Sequence, residues 1–144
     1  MKDIITTYSM PNLGCMIGTA YQMMLIKLSQ ILNQKGLDVT TGEYLVLRAL
    51  YASDGMQQCE IATLIGKDKS AVCRTVTNMV RKGLVRTESV SHKCLKVYVA
   101  PKGREIEPLI MEAARERHKA LTDLLTPEEL KVFSTTLEKL IKNT

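Results

Sequence analysis

The stretch "KDKSAVCRTVTNMVRKGLVRTESVSHKCLKVYVAPKG", residues 67–103, decides how the rest of the chain is read. Taken with Arg104, it holds ten Lys and Arg, at 67, 69, 74, 81, 82, 86, 93, 96, 102 and 104, against two acids, Asp68 and Glu88, a net of +8. The whole chain carries only +5, so the remaining residues together carry −3. A local basic field of this kind attracts a polyanion even where the protein as a whole is nearly balanced. Charge alone also fits the solvated flank of an ordinary helical domain, so facing and element order have to decide.

Within the stretch, Asp68 is placed to cap a helix running from about Lys69 to Lys82, closed by Gly83. At about 100° per residue, Val72, Val76 and Met79 fall in one narrow sector, with Val80 close by. Ser70, Arg74, Thr77 and Arg81 occupy the opposite sector, spaced four, three and four. Periodicity alone is that of any amphipathic surface helix. The outward hydroxyls and guanidiniums, however, suit a DNA major groove, where Arg pairs bidentately with guanine and Ser or Thr contacts bases or phosphates. Cys73 lies about a quarter-turn off the apolar sector, at the edge of that face.

Just upstream, "QQCEIATLIG" (57–66) reads as a short helix with Ile61, Ala62 and Leu64 inward and Gly66 ending it. Two helices joined so tightly, the second more polar, form a helix-turn-helix pattern. Downstream the period changes to two: Leu95, Val97 and Val99 alternate with Lys96 and Tyr98, and a hairpin with its tip near Val90–Lys93 follows. Further out, residues 12–34 read as one long helix with a stripe of Leu13, Ile17, Ala20, Met24, Leu28 and Ile31. A second opens at Thr40 with Glu43 three residues on, a capping-box pattern, and turns its Tyr44, Leu47, Leu50 and Tyr51 inward. Asp54-Gly55 marks a turn. A fifth helix is expected over 102–125, and a last one opens at Thr126, Pro127 and Glu129 with a stripe of Leu130, Phe133, Leu137, Leu140 and Ile141.

At 144 residues, with 45% hydrophobic and 24% charged residues, the chain has the length and composition of one globular domain. The first ten residues, "MKDIITTYSM", lack the apolar core of a signal peptide, and no run approaches transmembrane length. A cytoplasmic location with no membrane partner is the expectation. Cys15, Cys59, Cys73 and Cys94 form no Cys-x-x-Cys pair, so they read as free thiols in a reducing compartment, most of them as small core residues. No Gly-rich phosphate loop, His-Glu-x-x-His or nucleophile elbow is present, and the chain has two histidines, His92 and His118. The expectation is therefore no enzyme, no catalytic residue and no cofactor. Glu112, Glu116 and His118 share part of one helix, but His118 does not lie on the face of Glu116, so no metal site is expected either.

The segment "EIATLIGKDKSAVCRTVTNMVRKGLVRTESVSHKCLKVYVAPKG" (60–103) resembles the MarR family of bacterial winged-helix transcription regulators. It carries a Leu/Ile-Ala helix, a Ser-x-x-x-Arg helix, a Lys-Gly-Leu-Val-x-Arg-like turn and a wing ending before a Gly. The resemblance in element order extends over nearly the whole chain. It implies a mainly α fold with a small β-hairpin wing, the winged helix-turn-helix over 40–103 flanked by dimerisation helices over 12–36 and 104–144. The stripes at 13–31 and 130–141 agree, being more apolar than one small winged domain buries alone. The resemblance further implies a homodimer, most often a repressor, placing two such helices about one duplex turn apart on a pseudo-palindromic site of double-stranded DNA.

On this reading Ser70, Cys73, Arg74, Thr77 and Asn78 address the major groove, while Lys67, Lys69, Arg81, Arg86, His92 and Lys93 hold the backbone from the helix and wing. The family's usual Asp-x-Arg at the wing tip is replaced by Ser91, His92 and Lys93, and Lys lacks the planar fork, so phosphate contact is expected in place of minor-groove reading. The family also implies a small aromatic or phenolic effector, with Met16, Tyr21 and Met23 as candidate lining. Two alternatives stay open: a thiol-based redox sensor acting through Cys15 near the start of the first helix, where some peroxide-sensing relatives carry their reactive cysteine, and a winged-helix protein–protein adaptor that does not bind DNA.

Overall fold

A computed structural model describes residues 12–92 and 94–144. Helix α1 (Leu13–Gln34) starts where Asn12 Oδ1 accepts from the Cys15 amide at 3.1 Å. Only its second half is embedded: Leu28, Ile31 and Leu32 are buried, whereas Leu13, Met16, Ile17 and Met23 are exposed. Helix α2 (Thr41–Ala52) is the central element, burying Tyr44, Val46, Leu47, Ala49 and Leu50. Thr40 caps it by accepting from the Glu43 amide at 3.1 Å. The expected reciprocal bond is not made; the Glu43 carboxylate turns inward to Lys82.

A two-residue strand β1 (Met56–Gln57) leads into α3 (Gln58–Ile65), and α4 (Lys69–Arg81) follows. Gly66 and Gly83 bracket α4 in the left-handed region, at φ 69° and 77°, so the chain reverses sharply on either side of it. One inward assignment on α3 is corrected. Leu64 is 64% exposed, because the buried Ile61 and Ala62 and the half-buried Ile65 centre the inner face on the other side of the helix.

Strands β2 (Val85–Ser91) and β3 (Cys94–Val99) make the wing, and the three strands form an antiparallel sheet in the order β1-β3-β2. Val85 pairs with Val99 and Thr87 with Val97, and the register shifts between Ser89 and Ser91. Met56 lies opposite Val97 on the other side. Two residues are too few to show a period, which is why β1 was not expected.

The single helix expected over 102–125 is two: α5 (Pro101–Glu105) and α6 (Glu107–Thr122), joined at Ile106. Pro108 has no N–H to bond the Arg104 carbonyl and its ring crowds that carbonyl, so the ladder restarts there. Gly103 packs so closely on the Leu84 carbonyl that a Cβ would overlap it. The final helix, α7 (Pro127–Asn143), has the expected cap: Thr126 Oγ1 accepts from the Glu129 amide at 3.1 Å, and the Glu129 carboxylate accepts from the Thr126 amide at 3.0 Å. None of its residues is buried.

The core is one cluster, centred on Leu28, Tyr44, Leu47, Leu50, Ile61, Val72, Met79, Val97 and Ile110. The cysteines are not in it: Cys59 is exposed and Cys15 and Cys94 are half-buried, correcting their reading as small core residues, while Cys73 is exposed, in keeping with its place at the edge of the polar face of α4. Among the described residues, no helix is long and apolar enough to cross a membrane.

Candidate nucleic-acid interface

The local sequence sets α4 in place from both ends. Asp68 Oδ1 accepts from the Ala71 amide at 2.7 Å, which starts the helix. At the other end, Lys82 donates to both oxygens of Glu43, at 2.9 and 3.0 Å, and to the Asp38 carbonyl at 3.1 Å. Glu43 is only 3% exposed, so this pair is a near-buried tether between the C-terminus of α4 and the start of α2. Burial pulls the Lys82 ammonium down, but its hydrogen bond to Glu43 and the charges of Glu43 and Asp38 leave its pKa raised. The spacing from Thr40 assigns Glu43 to the cap of α2, and nothing local to either residue pairs it with Lys82. A Lys at a helix end is an ordinary solvated residue by pattern, and its acid lies in another helix.

With the back of α4 fixed by Val72, Val76 and Met79, each no more than 2% exposed, the opposite face is free. Ser70, Cys73, Arg74, Thr77, Asn78 and Arg81 are all exposed. Thr77 Oγ1 donates to the Cys73 carbonyl at 2.9 Å, which leaves the hydroxyl oxygen able to accept. Among the described residues Lys67, Lys69, Arg74 and Arg81 make no ion pair. Four uncommitted cations thus lie on or beside one helix face.

The wing is arranged differently. Arg86 lies 4.4 Å from the Tyr98 ring centroid and 3.7 Å from Glu88, so its guanidinium is held against the hairpin. Cross-strand pairing sets Glu88 opposite Lys96. His92 is exposed at the tip. Lys93, expected at the same tip, lies outside the described residues.

The base of the wing is locked to α2 and α5. Asp54 Oδ1 accepts from the Val99 amide at 2.9 Å, and Asp54 Oδ2 pairs with Arg104 at 3.1 Å. Tyr51 donates to the Gly103 carbonyl at 2.6 Å. Burial, aided by the Glu107 charge and opposed by Arg104, pushes the Tyr51 hydroxyl up to about 12. Glu112 and Glu116, weighed above as metal ligands, both hold Lys35, at 3.2 and 2.7 Å, and so tie α1 to α6.

A cleft of about 450 Å³ lies between α1, α2 and α6, lined by Tyr21, Met24, Arg48, Arg115, Arg117 and His118 with Met111 and Leu121. Of the three residues expected to line an effector pocket, Tyr21 lines this cleft. Met16 and Met23 lie outside it and are exposed, because the helical turn directs Met24 to this side in their place. Arg48 and Arg117 flank the buried Tyr44 ring, at 5.8 and 5.5 Å from its centroid, and Arg48 donates to the Tyr44 hydroxyl at 2.9 Å. This cationic rim comes from residues almost 70 positions apart and has no motif in the sequence.

Comparison with known proteins gives a consistent answer. A model of the MarR family matches residues 36–93. The HTH-type transcriptional regulator YybA of Bacillus subtilis (strain 168) is 26% identical over 111 residues, covering 76% of this chain and 74% of its own. MepR of S. aureus, solved in complex with DNA, superposes with a TM-score of 0.81 at 21% identity, over 92% of this chain and 98% of that one. A mutant of E. coli MarR, solved with operator DNA, gives 0.80 at 21% identity, over 96% and 99%. The fold is therefore a winged helix with flanking helices, and residues 36–93, from just before α2 through the wing tip, are similar to the MarR family.

Proposed function

We propose that this protein is a regulator of the MarR type, acting as a homodimeric, sequence-specific repressor on a pseudo-palindromic DNA site. The observation that carries the reading is the free polar face of α4: Ser70, Arg74, Thr77 and Arg81 point away from a fully buried apolar back, with the wing beside them. Ser70, Arg74 and Thr77 address base edges, with Cys73 and Asn78 at the margin. Lys67, Lys69 and Arg81 hold phosphates, joined from the wing by His92, Lys93 and Arg86. The DNA complexes of MepR and of E. coli MarR, on the same fold, support this assignment. Dimerisation uses the exposed apolar faces of α1 and α7, which no part of the same chain covers among the described residues.

The cleft between α1, α2 and α6 is the place for an effector. Its Tyr21, Met24 and Met111 suit an aromatic ring, and Arg48, Arg115, Arg117 and His118 suit a carboxylate or phenolate on that ring.

The test is binding to random duplex DNA over a salt series, followed by selection of a preferred site. A steep fall in affinity with salt is expected, as counterions are released from the neutralised phosphates. A reduced, folded protein that binds no duplex at low salt would instead be an adaptor on this fold.

A further inference from the structure

A second cleft, of about 440 Å³, opens between the wing and the start of α3 and is lined by Gln57, Cys59, Lys69, His92 and Cys94 among others. Two of the four thiols therefore share one cavity. The sheet register explains why. Met56 pairs with Val97 and Gln57 with Lys96, so the same antiparallel ladder carried two residues further would set Cys59 opposite Cys94. The ladder stops at Gln57, where the chain turns into α3, and the two cysteines are left on either side of the cleft, not paired in the sheet. Cys59 Sγ donates to Gln57 Oε1 at 3.4 Å, which turns the thiol back toward the last rung. Cys59 is exposed and Cys94 half-buried, so a small solute reaches both. Among the described residues no group of three His, Cys, Asp or Glu placed to hold a metal occurs, and the two thiols are the readily oxidised groups on this cleft.

We propose that Cys59 and Cys94 form a dithiol modification site that a hydroperoxide oxidises to an intrachain disulfide, tying the wing to the start of α3. One thiol, as thiolate, attacks the peroxide: an S–O bond forms, the O–O bond breaks, and the departing oxygen takes up the thiol proton to leave as alcohol or water. The second thiol attacks the resulting sulfenic sulfur: the S–S bond forms, the S–O bond breaks, and hydroxide leaves as water with the second proton. The two thiols lose two hydrogens, and the peroxide is the electron acceptor. A disulfide holds its Cα atoms within about 7 Å, so bridging fixes the two walls of the cleft to each other. Lys69, the first residue of α4, and His92, at the wing tip, line those walls and are held with them. The effect on DNA rests on the function proposed above: a wing fixed to α3 no longer adjusts to the backbone beside α4, and duplex affinity falls.

The reduced full-length chain is treated with hydrogen peroxide, its remaining thiols are alkylated, and a non-reducing digest is read by mass spectrometry. A Cys59–Cys94 linked peptide is expected, with a loss of two hydrogens, in a Cys15→Ser/Cys73→Ser background as in the parent chain. The oxidised protein should bind duplex about tenfold more weakly until dithiothreitol restores it, and Cys59→Ser and Cys94→Ser should each abolish the response while melting as the parent does. Alkylated Cys59 and Cys94 after peroxide, or links only between chains, overturns the site. An unchanged affinity with the bridge formed overturns the switch. A reduced protein that binds no duplex at all refutes the DNA-binding function instead, and the mass measurement still decides the site.

Discussion

At the scale of single residues, Arg74 and Lys82 are both cations of the same helix and do opposite things. Arg74 is exposed and without an ion-pair partner among the described residues, which suits it to read a base edge. Arg74→Ala is expected to cost about 1–3 kcal/mol of affinity at the cognate site and to relax specificity at one base pair, while the melting curve stays unchanged. Fluorescence anisotropy on a set of single-base variants of the site checks this, and undiminished discrimination would mean that α4 faces another way. Lys82 holds the nearly inaccessible Glu43. Lys82→Ala should therefore destabilise the fold, by about 3 kcal/mol in urea titration, mostly because a carboxylate is left buried without its partner. Since the folded Lys82 pKa is raised, its contribution is complete below the ordinary lysine value of 10.5 and fades as pH rises through the folded value. An alkaline shift of the unfolding midpoint that is missing in Lys82→Met would show it. The facing of Arg74 was legible in the sequence, because helical periodicity is a local property. The burial of Glu43 was not, because its capping-box spacing pointed to a different partner.

At the scale of elements, helix ends were the most readable feature and helix continuity the least. The Thr126–Pro127–Glu129 cap of α7 appears as its spacing predicts, and the Asp68 cap of α4 likewise. Pro108 lies inside a segment rich in helix formers that reads as continuous, and the observed break between α5 and α6 follows from its missing N–H. The cap of α7 also has a pH signature. Bonds from the Thr126 backbone and hydroxyl hold the Glu129 carboxyl below its ordinary 4.5. Its support is present above that value and is lost as pH falls through the lower, folded one. Amide exchange at the first turn of α7 should therefore accelerate on acidification, and Glu129→Gln should remove most of that dependence. Thr126→Ala should cost about 1 kcal/mol of helix stability at neutral pH. If exchange in α7 is indifferent to both changes, the helix is held by its packing and not by its cap.

At the scale of the whole molecule, the distribution of apolar surface argues for a partner of the same kind. Leu13 and Ile17 on α1 are 61% and 42% exposed, and Phe133 and Ile141 on α7 are 54% and 75% exposed. Stripes of this size at helical spacing are otherwise found inside cores. Ile17→Asp combined with Phe133→Asp should give a folded monomer by light scattering and should convert two-site duplex binding into weak one-site binding. A dimer that survives both changes would place the interface elsewhere.

What the amino-acid order determined on its own was the winged helix-turn-helix, its capped and glycine-bounded α4, and the direction of that helix's polar face. All of these depend on residues within a turn or two of one another. Only the tertiary structure decided the Lys82–Glu43 tether and the cationic cleft around Tyr44. Each of these joins segments tens of residues apart. No periodicity encodes which distant surfaces meet; that is set by how the helices and the small sheet pack to bury one shared core.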